Sequence, residues 1–284
     1  MNIRHIVAMR FLCMDFGIKT DTPENIEFYS NICRDYTAKS LQNMKNKKFE
    51  CVFLVNDNND LSHLAPLVPT VADLDATLVR YGKFTEFCEK YRGDGNLIVT
   101  RCDADDLYAN WLVDEVQLEA EKRSGESFVF GYVDSLLYRI GVNKLRKFTA
   151  PYRASGHFSC FQSVVYGKDC RMAGIQPYAW VHHSATKKLV ENGIPKEEAL
   201  KMIVQGDESR YPFIWMRNGR NGSHDDDPSK DEKYQEITID GYTPERIEEI
   251  YGVKLPLAPA EPKNEEPEKP AEEPKSDLKA QENA

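Results

Sequence analysis

The chain has 284 residues, a formal net charge of −9 and a hydrophobic fraction of 41%, with 13 Phe, 14 Tyr and 3 Trp. That is apolar material for one large domain or two modest ones. Eight acidic residues against four lysines between Pro256 and Ala284 contribute −4 of the charge, and nothing in the remaining balance favours nonspecific binding to a nucleic-acid backbone, which needs a basic face. A first strand is predicted over residues 5–11, where Ile6-Val7-Ala8-Met9 is buried on both faces. Thr22-Pro23 supplies an N-cap and an N1 proline, and a helix follows to residue 46 with Ile26, Tyr29, Ile32, Cys33, Tyr36 and Leu41 at helical spacing. Residues 51–55 read as a second strand ending in the polar turn Asn56-Asp57-Asn58-Asn59-Asp60. A helical stretch over 73–91 then leads to a third strand at Asn96-Leu97-Ile98-Val99-Thr100.

A helix over 110–123 and a strand over 127–133 continue the alternation, which predicts an α/β sandwich around a mostly parallel sheet. Beyond residue 134 the pattern is weaker. Strands are expected over 135–140 and 158–166, and helices over 195–204 and 244–251, the last capped by Thr243 and stopped by Gly252. Residues 217–232 read as a loop. Residues 256–284, rich in Pro, Glu, Lys and Ala, bury too little apolar surface to fold and read as a disordered tail. The seven cysteines (Cys13, Cys33, Cys51, Cys88, Cys102, Cys160, Cys170) are odd in number and form no Cys-x-x-Cys pair, which predicts buried free thiols in a reducing cytoplasm. The N-terminus has no signal-peptide pattern and no apolar run is long enough to span a membrane.

The most informative segment is Arg101-Cys102-Asp103-Ala104-Asp105-Asp106, three carboxylates where a buried strand ends. Like charges so placed are costly unless offset, and carboxylate oxygens suit Mn²⁺ or Mg²⁺. In extended chain Asp103 and Asp105 point the same way, so they can share one ion, and Mg²⁺ held by one or two carboxylates keeps positions for substrate phosphates. The bland alternative is a helix N-cap with its neighbours solvated. In open α/β sheets ligands bind beyond the carboxyl ends of the strands, and Arg10, Asp57 and the acidic segment all fall on that edge.

Other residues are candidates on weaker grounds. His182-His183 ends the apolar Tyr178-Ala179-Trp180-Val181, so His183, or His182 in its place, is a candidate further metal ligand, or else a surface pair. Asp57 is a candidate acceptor for a base or ribose, or a turn residue. Arg10 is a candidate partner for a diphosphate, or for a neighbouring carboxylate. Asp134, at a strand end, is the candidate general base. Asp225-Asp226-Asp227 and His224 read as a solvated turn.

These features resemble nucleotide-sugar glycosyltransferases of the GT-A type, and more narrowly a bacterial rhamnosyltransferase-like family. The resemblance is carried by His5-Ile6-Val7-Ala8-Met9-Arg10-Phe11, Ser40-Leu41-Gln42, Val52-Phe53-Leu54-Val55-Asn56-Asp57 and Thr100-Arg101-Cys102-Asp103-Ala104-Asp105-Asp106, with Trp180-Val181-His182-His183-Ser184 adding to it. It implies a GT-A-like Rossmann-type α/β/α sandwich over residues 1–255, with a nucleotide-sugar-binding half (1–133) fused to an acceptor half (134–255). It implies that Arg10, Asp57, Arg101 and Asp103 meet the nucleotide sugar, that Asp103 reaches the sugar-ribose side, and that Asp105 ligates Mn²⁺ or Mg²⁺ between the two phosphates with Asp106 acting through water. Many relatives have an Asp-Asp-Gly-Ser-like turn where this chain has Asn56-Asp57-Asn58-Asn59. The expected activity is metal-dependent transfer of a sugar, rhamnose among the options, from a nucleotide-diphosphate donor to a saccharide or lipid-linked hydroxyl acceptor. The setting would be the cytoplasm or the inner membrane face, with the tail free to contact another protein. The competing expectations are a metal-dependent phosphohydrolase and a non-catalytic scaffold.

Overall fold

The computed structural model describes residues 3–13, 22–91, 96–149, 162–168, 185–207, 210–218 and 241–257. The candidates His182 and His183, the segment 224–227, Cys160 and Cys170, and the tail beyond Leu257 lie outside these residues.

The first half alternates strand and helix. β1 (Ile3–Phe11) is followed by α1 (Pro23–Ile32), a π-helical stretch (Cys33–Ala38) and α2 (Lys39–Gln42), which run on as one helical rod. Thr22 caps it, its side chain accepting from the Asn25 N–H at 3.3 Å, with Pro23 in the first turn as the sequence predicts. β2 (Glu50–Val55) leads through a 3₁₀ segment (Leu61–Leu67) into α3 (Val68–Asp73). The helix expected over 73–91 is instead broken: β3 (Thr77–Arg80) intervenes before a 3₁₀ turn and α4 (Phe84–Glu89). The reason is tertiary, because β3 finds the open edge of β2 with Leu78 opposite Phe53, and strand pairing overrides local helical spacing. The acidic segment therefore ends the fourth strand, not the third.

β4 (Asn96–Asp103) and β5 (Leu107–Tyr108) flank that segment, and α5 (Leu112–Lys122) and β6 (Phe128–Gly131) follow. The second half contributes β7 (Asp134–Arg139), β8 (Leu145–Thr149), β9 (Gln162–Tyr166), α6 (Ala185–Glu191), α7 (Lys196–Lys201), β10 (Ile203–Gln205), β11 (Phe213–Arg217) and α8 (Pro244–Tyr251). Thr243 caps α8 and Gly252 ends it at φ 74°, where a Cβ would stand 2.7 Å from the Asn43 Cβ, so only glycine fits. The chain stays ordered past residue 255: the Tyr138 hydroxyl donates to the Pro256 carbonyl at 2.9 Å and Leu257 packs on the core. Pro256 and Leu257, read as the start of the tail, thus belong to the packed part of the chain.

The main sheet has seven strands in the order β10-β6-β9-β4-β1-β2-β3, all parallel except β9, which runs antiparallel to both β4 and β6. A second sheet, β5-β11-β7-β8, has four strands. One face of the main sheet (Val7, Met9, Phe53, Ile98, Phe128) packs against α1, α5, α8 and the second sheet. The other (Ile6, Ala8, Val52, Val99, Val129) packs against α4, α6 and α7. This is an α/β/α sandwich around a mostly parallel sheet, each buried aliphatic side chain contributing about 1.5–3 kcal/mol. β9 lies between two strands of the first half, so one sheet is built from both halves of the chain.

Strand order reverses between β1 and β4: β2 and β3 extend the sheet to one side of β1, and β4 starts the other. Such a switch point opens a crevice at the carboxyl ends of its two strands, the preferred ligand position of open α/β sheets.

Candidate functional site

Arg10 and Asp103 are register partners at that point, one at the end of β1 and the other at the end of β4. Paired residues share a face, so the two side chains meet. Arg10 Nε and Nη2 lie 2.6 and 2.5 Å from Asp103 Oδ1, and Arg101 Nη2, two residues back on the same face, lies 3.6 Å from Oδ2. Arg101 is only 1% exposed. A guanidinium is taken into the interior in charged form only beside compensating groups, and Asp103 supplies one. Just past the pair, Leu12 takes a left-handed φ of 48°, a conformation costing about 1 kcal/mol for a residue with a Cβ. Strain of this kind gathers at functional sites. Cys13 packs beside both arginines and Asp103, and burial pushes its thiol up to about 12, so it is an inert apolar filler there.

Asp105 and Asp106 sit where the chain leaves the main sheet for the small one. Four hydrogen bonds fix this turn. The Ala104 N–H donates to the Arg10 carbonyl (3.3 Å), the Asp103 N–H donates to the Tyr108 hydroxyl (2.6 Å), the Thr37 hydroxyl donates to the Asp106 carbonyl (2.8 Å), and the Met216 N–H donates to Asp106 Oδ1 (2.9 Å). Thr37 comes from the π-helical stretch, an irregularity common at functional sites. Asp106 therefore points inward and fastens β11 to the turn. Burial, then Asp105 and Asp103, push its carboxyl well above the ordinary range, and its bond to the Met216 N–H gives it a structural task.

Asp105 is the carboxylate of the turn directed at the cluster. Its pKa is raised to about 7, first by burial and then by Asp103, against the attraction of Arg10 and Arg217. Asn218 Nδ2 stands 3.4 Å from Asp105 Oδ2. Arg217, buried, lays its guanidinium over the Trp215 ring at 4.1 Å. Sequence reasoning missed both residues by reading Arg217 as the start of a loop. The signal was present, because Phe213-Ile214-Trp215-Met216-Arg217 is the same apolar run ending in charge that marks Asp103.

Two expected site residues stand apart from the cluster. Asp57 lies on the same rim beyond β2, two strand spacings or about 10 Å from Asp103. Both its oxygens accept from the Gly82 N–H at 3.0 Å, and Arg80 holds the loop by bonding the carbonyls of Asn56, Asp57 and Asn59 at 2.7–2.8 Å. Asp134 is 4% exposed and pairs with Lys147 Nζ at 2.8 Å. It lies five residues before Arg139, the register partner of Arg217, which is about 17 Å along the strand. The structure thus brings together Arg10, Arg101, Asp103, Asp105 and Arg217, and leaves the expected general base at the far end of the small sheet.

Among the described residues, no group of three or more His, Cys, Asp or Glu side chains is placed to hold a metal ion. What the cluster offers is oxygen donors from two carboxylates. That donor set matches a hard cation completed by phosphate and water oxygens, and does not match structural zinc. Cys13, Cys33, Cys51, Cys88 and Cys102 are buried free thiols, as expected. No helix among the described residues is long and apolar enough to cross a membrane.

No family model matches the chain, and no curated protein matches it, so the narrower likeness to rhamnosyltransferases has no counterpart at the level of sequence families. Among solved structures, S. aureus TarS 1-349 in complex with UDP-GlcNAc is similar at 11% identity and a TM-score of 0.40, over 78% of this chain and 61% of that one. A candidate nucleotide-diphospho-sugar transferase from Desulfovibrio desulfuricans G20 is similar at 12% identity and 0.37, over 75% and 81%. The inositol-1-phosphate CTP transferase from T. maritima is similar at 12% and 0.35, over 80% and 93%. This chain spans less than two thirds of TarS 1-349. At such scores the chemistry of the rim is read from its own residues.

Proposed function

We propose that the carboxyl rim of the main sheet binds a nucleotide-diphosphate sugar and transfers its sugar, rhamnose being one option, to a hydroxyl of a saccharide or lipid-linked acceptor. The observation that carries this reading is the Arg10–Asp103 pair at the topological switch point, with Asp105 directly beyond it.

Transfer from such a donor is limited by the negative charge that develops on the leaving diphosphate. Arg10 is positioned to face that charge, with its guanidinium orientation fixed in advance by Asp103 and Arg101 behind the pair. Asp105, with Asp103, would hold Mn²⁺ or Mg²⁺, which when bound supplies a Lewis acid to the phosphoryl oxygens. Burial raises Asp105 to about 7, and it is the deprotonated carboxylate that would hold such a cation. Asp57, held by Gly82 and Arg80, offers a carboxylate on the nucleoside side. Asp134, tied to Lys147, is given no part in the step. Asp103 is engaged by two arginines and Asp106 is buried, so neither offers a free carboxylate nucleophile to a phosphohydrolase.

The test is thermal unfolding of the wild type and Asp105→Asn with UDP, GDP and dTDP, with and without Mn²⁺. A nucleotide-dependent rise that requires Mn²⁺ and vanishes in Asp105→Asn is expected. A wild type that responds to none of the three would favour the scaffold and end the proposal.

A further inference from the structure

Arg10, Arg101 and Asp103 project from one face of the main sheet at its rim. Gln162 stands beside them. It opens β9 and is the register partner of Arg101 on one side and of Gly131 on the other. Opposed residues share a face, with Cβ atoms about 5 Å apart, so the Gln162 amide extends alongside Arg101. Gly131 adds no side chain on the other flank. Gln162 is 3% exposed, and its Nε2 is buried with no hydrogen-bond partner. A buried amide donor in that condition is costly, and native proteins rarely retain one without a use. Its sequence neighbour shows the contrast: Ser163, on the opposite face, is satisfied by Thr100 at 2.6 Å.

We propose that Gln162 Nε2 donates a hydrogen bond to a hydroxyl oxygen of the sugar carried by the nucleotide donor, and so positions and discriminates that sugar. The inference rests on reading the rim as a nucleotide-sugar site. The flank follows from strand order. Asp57 lies beyond β2, on one side of the switch point, and Gln162 lies on β9, on the other. A ligand whose diphosphate sits at the Arg10–Asp103 pair sends its two ends to opposite flanks. The Asp57 carboxylate suits the N–H and O–H donors of a base or ribose. That leaves the sugar over β9, where hydroxyl oxygens meet an amide donor.

The experiment is calorimetric titration of the full chain with Mn²⁺ and matched pairs: UDP and UDP-glucose, GDP and GDP-mannose, dTDP and dTDP-rhamnose. Gln162→Met keeps side-chain length and removes the donor, and Gln162→Glu keeps the shape and replaces the donor with an acceptor. Both variants are expected to bind the preferred sugar nucleotide about tenfold more weakly while binding the bare diphosphate as the wild type does. Gln162→Met should unfold at the same or a higher temperature, because an unpartnered buried donor has been replaced by an apolar group. Unchanged affinity for both members of the pair overturns the assignment of Gln162 and leaves the site standing. Equal weakening for both members also overturns it, since the contact then lies outside the sugar. A wild type that binds none of the six ligands removes the functional reading, and this inference with it.

Discussion

β1 and β4 each carry two polar clusters, one within the sheet and one at its rim, and the two are finished differently. Within the sheet, Gln117 Nε2 donates to His5 Nδ1 (3.2 Å), His5 Nε2 donates to Thr100 Oγ1 (2.7 Å), and Thr100 pairs with Ser163. Gln117 also donates to the Lys48 carbonyl and accepts from Asn46. That network is closed and uncharged: burial lowers His5 to about 3, so it stays neutral. At the rim, three carboxylates and three guanidiniums crowd together, Asp105 is held near 7, and Leu12 is strained. A closed neutral network specifies a core. A charged one that still holds a raised carboxylate at a sheet's carboxyl edge is the kind of place where a ligand completes the arrangement.

The sharpest break between the two clusters comes from Asp105→Ala. Loss of the cation-binding carboxylate should raise the transfer barrier by about 3–4 kcal/mol, a roughly hundred- to thousandfold fall in turnover, with no loss of thermal stability. Donor hydrolysis assays and melting curves check both halves, and undiminished turnover would refute the site. His5→Leu should do the reverse. It leaves Thr100 and Gln117 short of a partner and should cost about 2–3 kcal/mol in urea unfolding, while nucleotide affinity is retained.

Acid separates the clusters by sign. His5 has its folded pKa below the unfolded value of 6.5, so its contribution is complete above pH 6.5 and is lost as pH falls from there towards 3. Asp105 has its folded pKa raised from 3.8 to about 7, so it favours the folded state at low pH and weakens it as pH rises from about 4 to 7. His5→Leu should therefore flatten stability against pH below 6.5, and Asp105→Asn should remove a decline between 4 and 7. Urea midpoints at stepped pH read both slopes, and unaltered curves would show that neither group titrates as placed.

The smallest expected effect is at the nucleoside flank. A Cβ at residue 82 would stand 2.9 Å from Asp57 Oδ2 and 3.2 Å from Oδ1. Gly82→Ala should push the carboxylate off the Gly82 N–H, costing about 1 kcal/mol of stability and a few-fold in nucleotide affinity. Retained affinity would show that Asp57 serves only its turn.

Local pattern in the chain was sufficient for much of this. The apolar runs that make β1, β2 and β4, the Thr22-Pro23 and Thr243-Pro244 caps, the Gly252 stop and the acid segment at a strand end are each encoded within a few residues, because strand alternation, capping and turn chemistry act over that range. Other features were decided by contacts that only the folded chain makes. β3 formed because β2 offered an edge. Asp106 became a fastener because Met216, 110 residues on, brings it an N–H. Asn218, beside Arg217, reached Asp105, and Gln162 came to lie beside Arg101, through strand pairing at long sequence separation. Charge in the sequence marks where a cost must be met, and tertiary geometry alone selects the group that meets it.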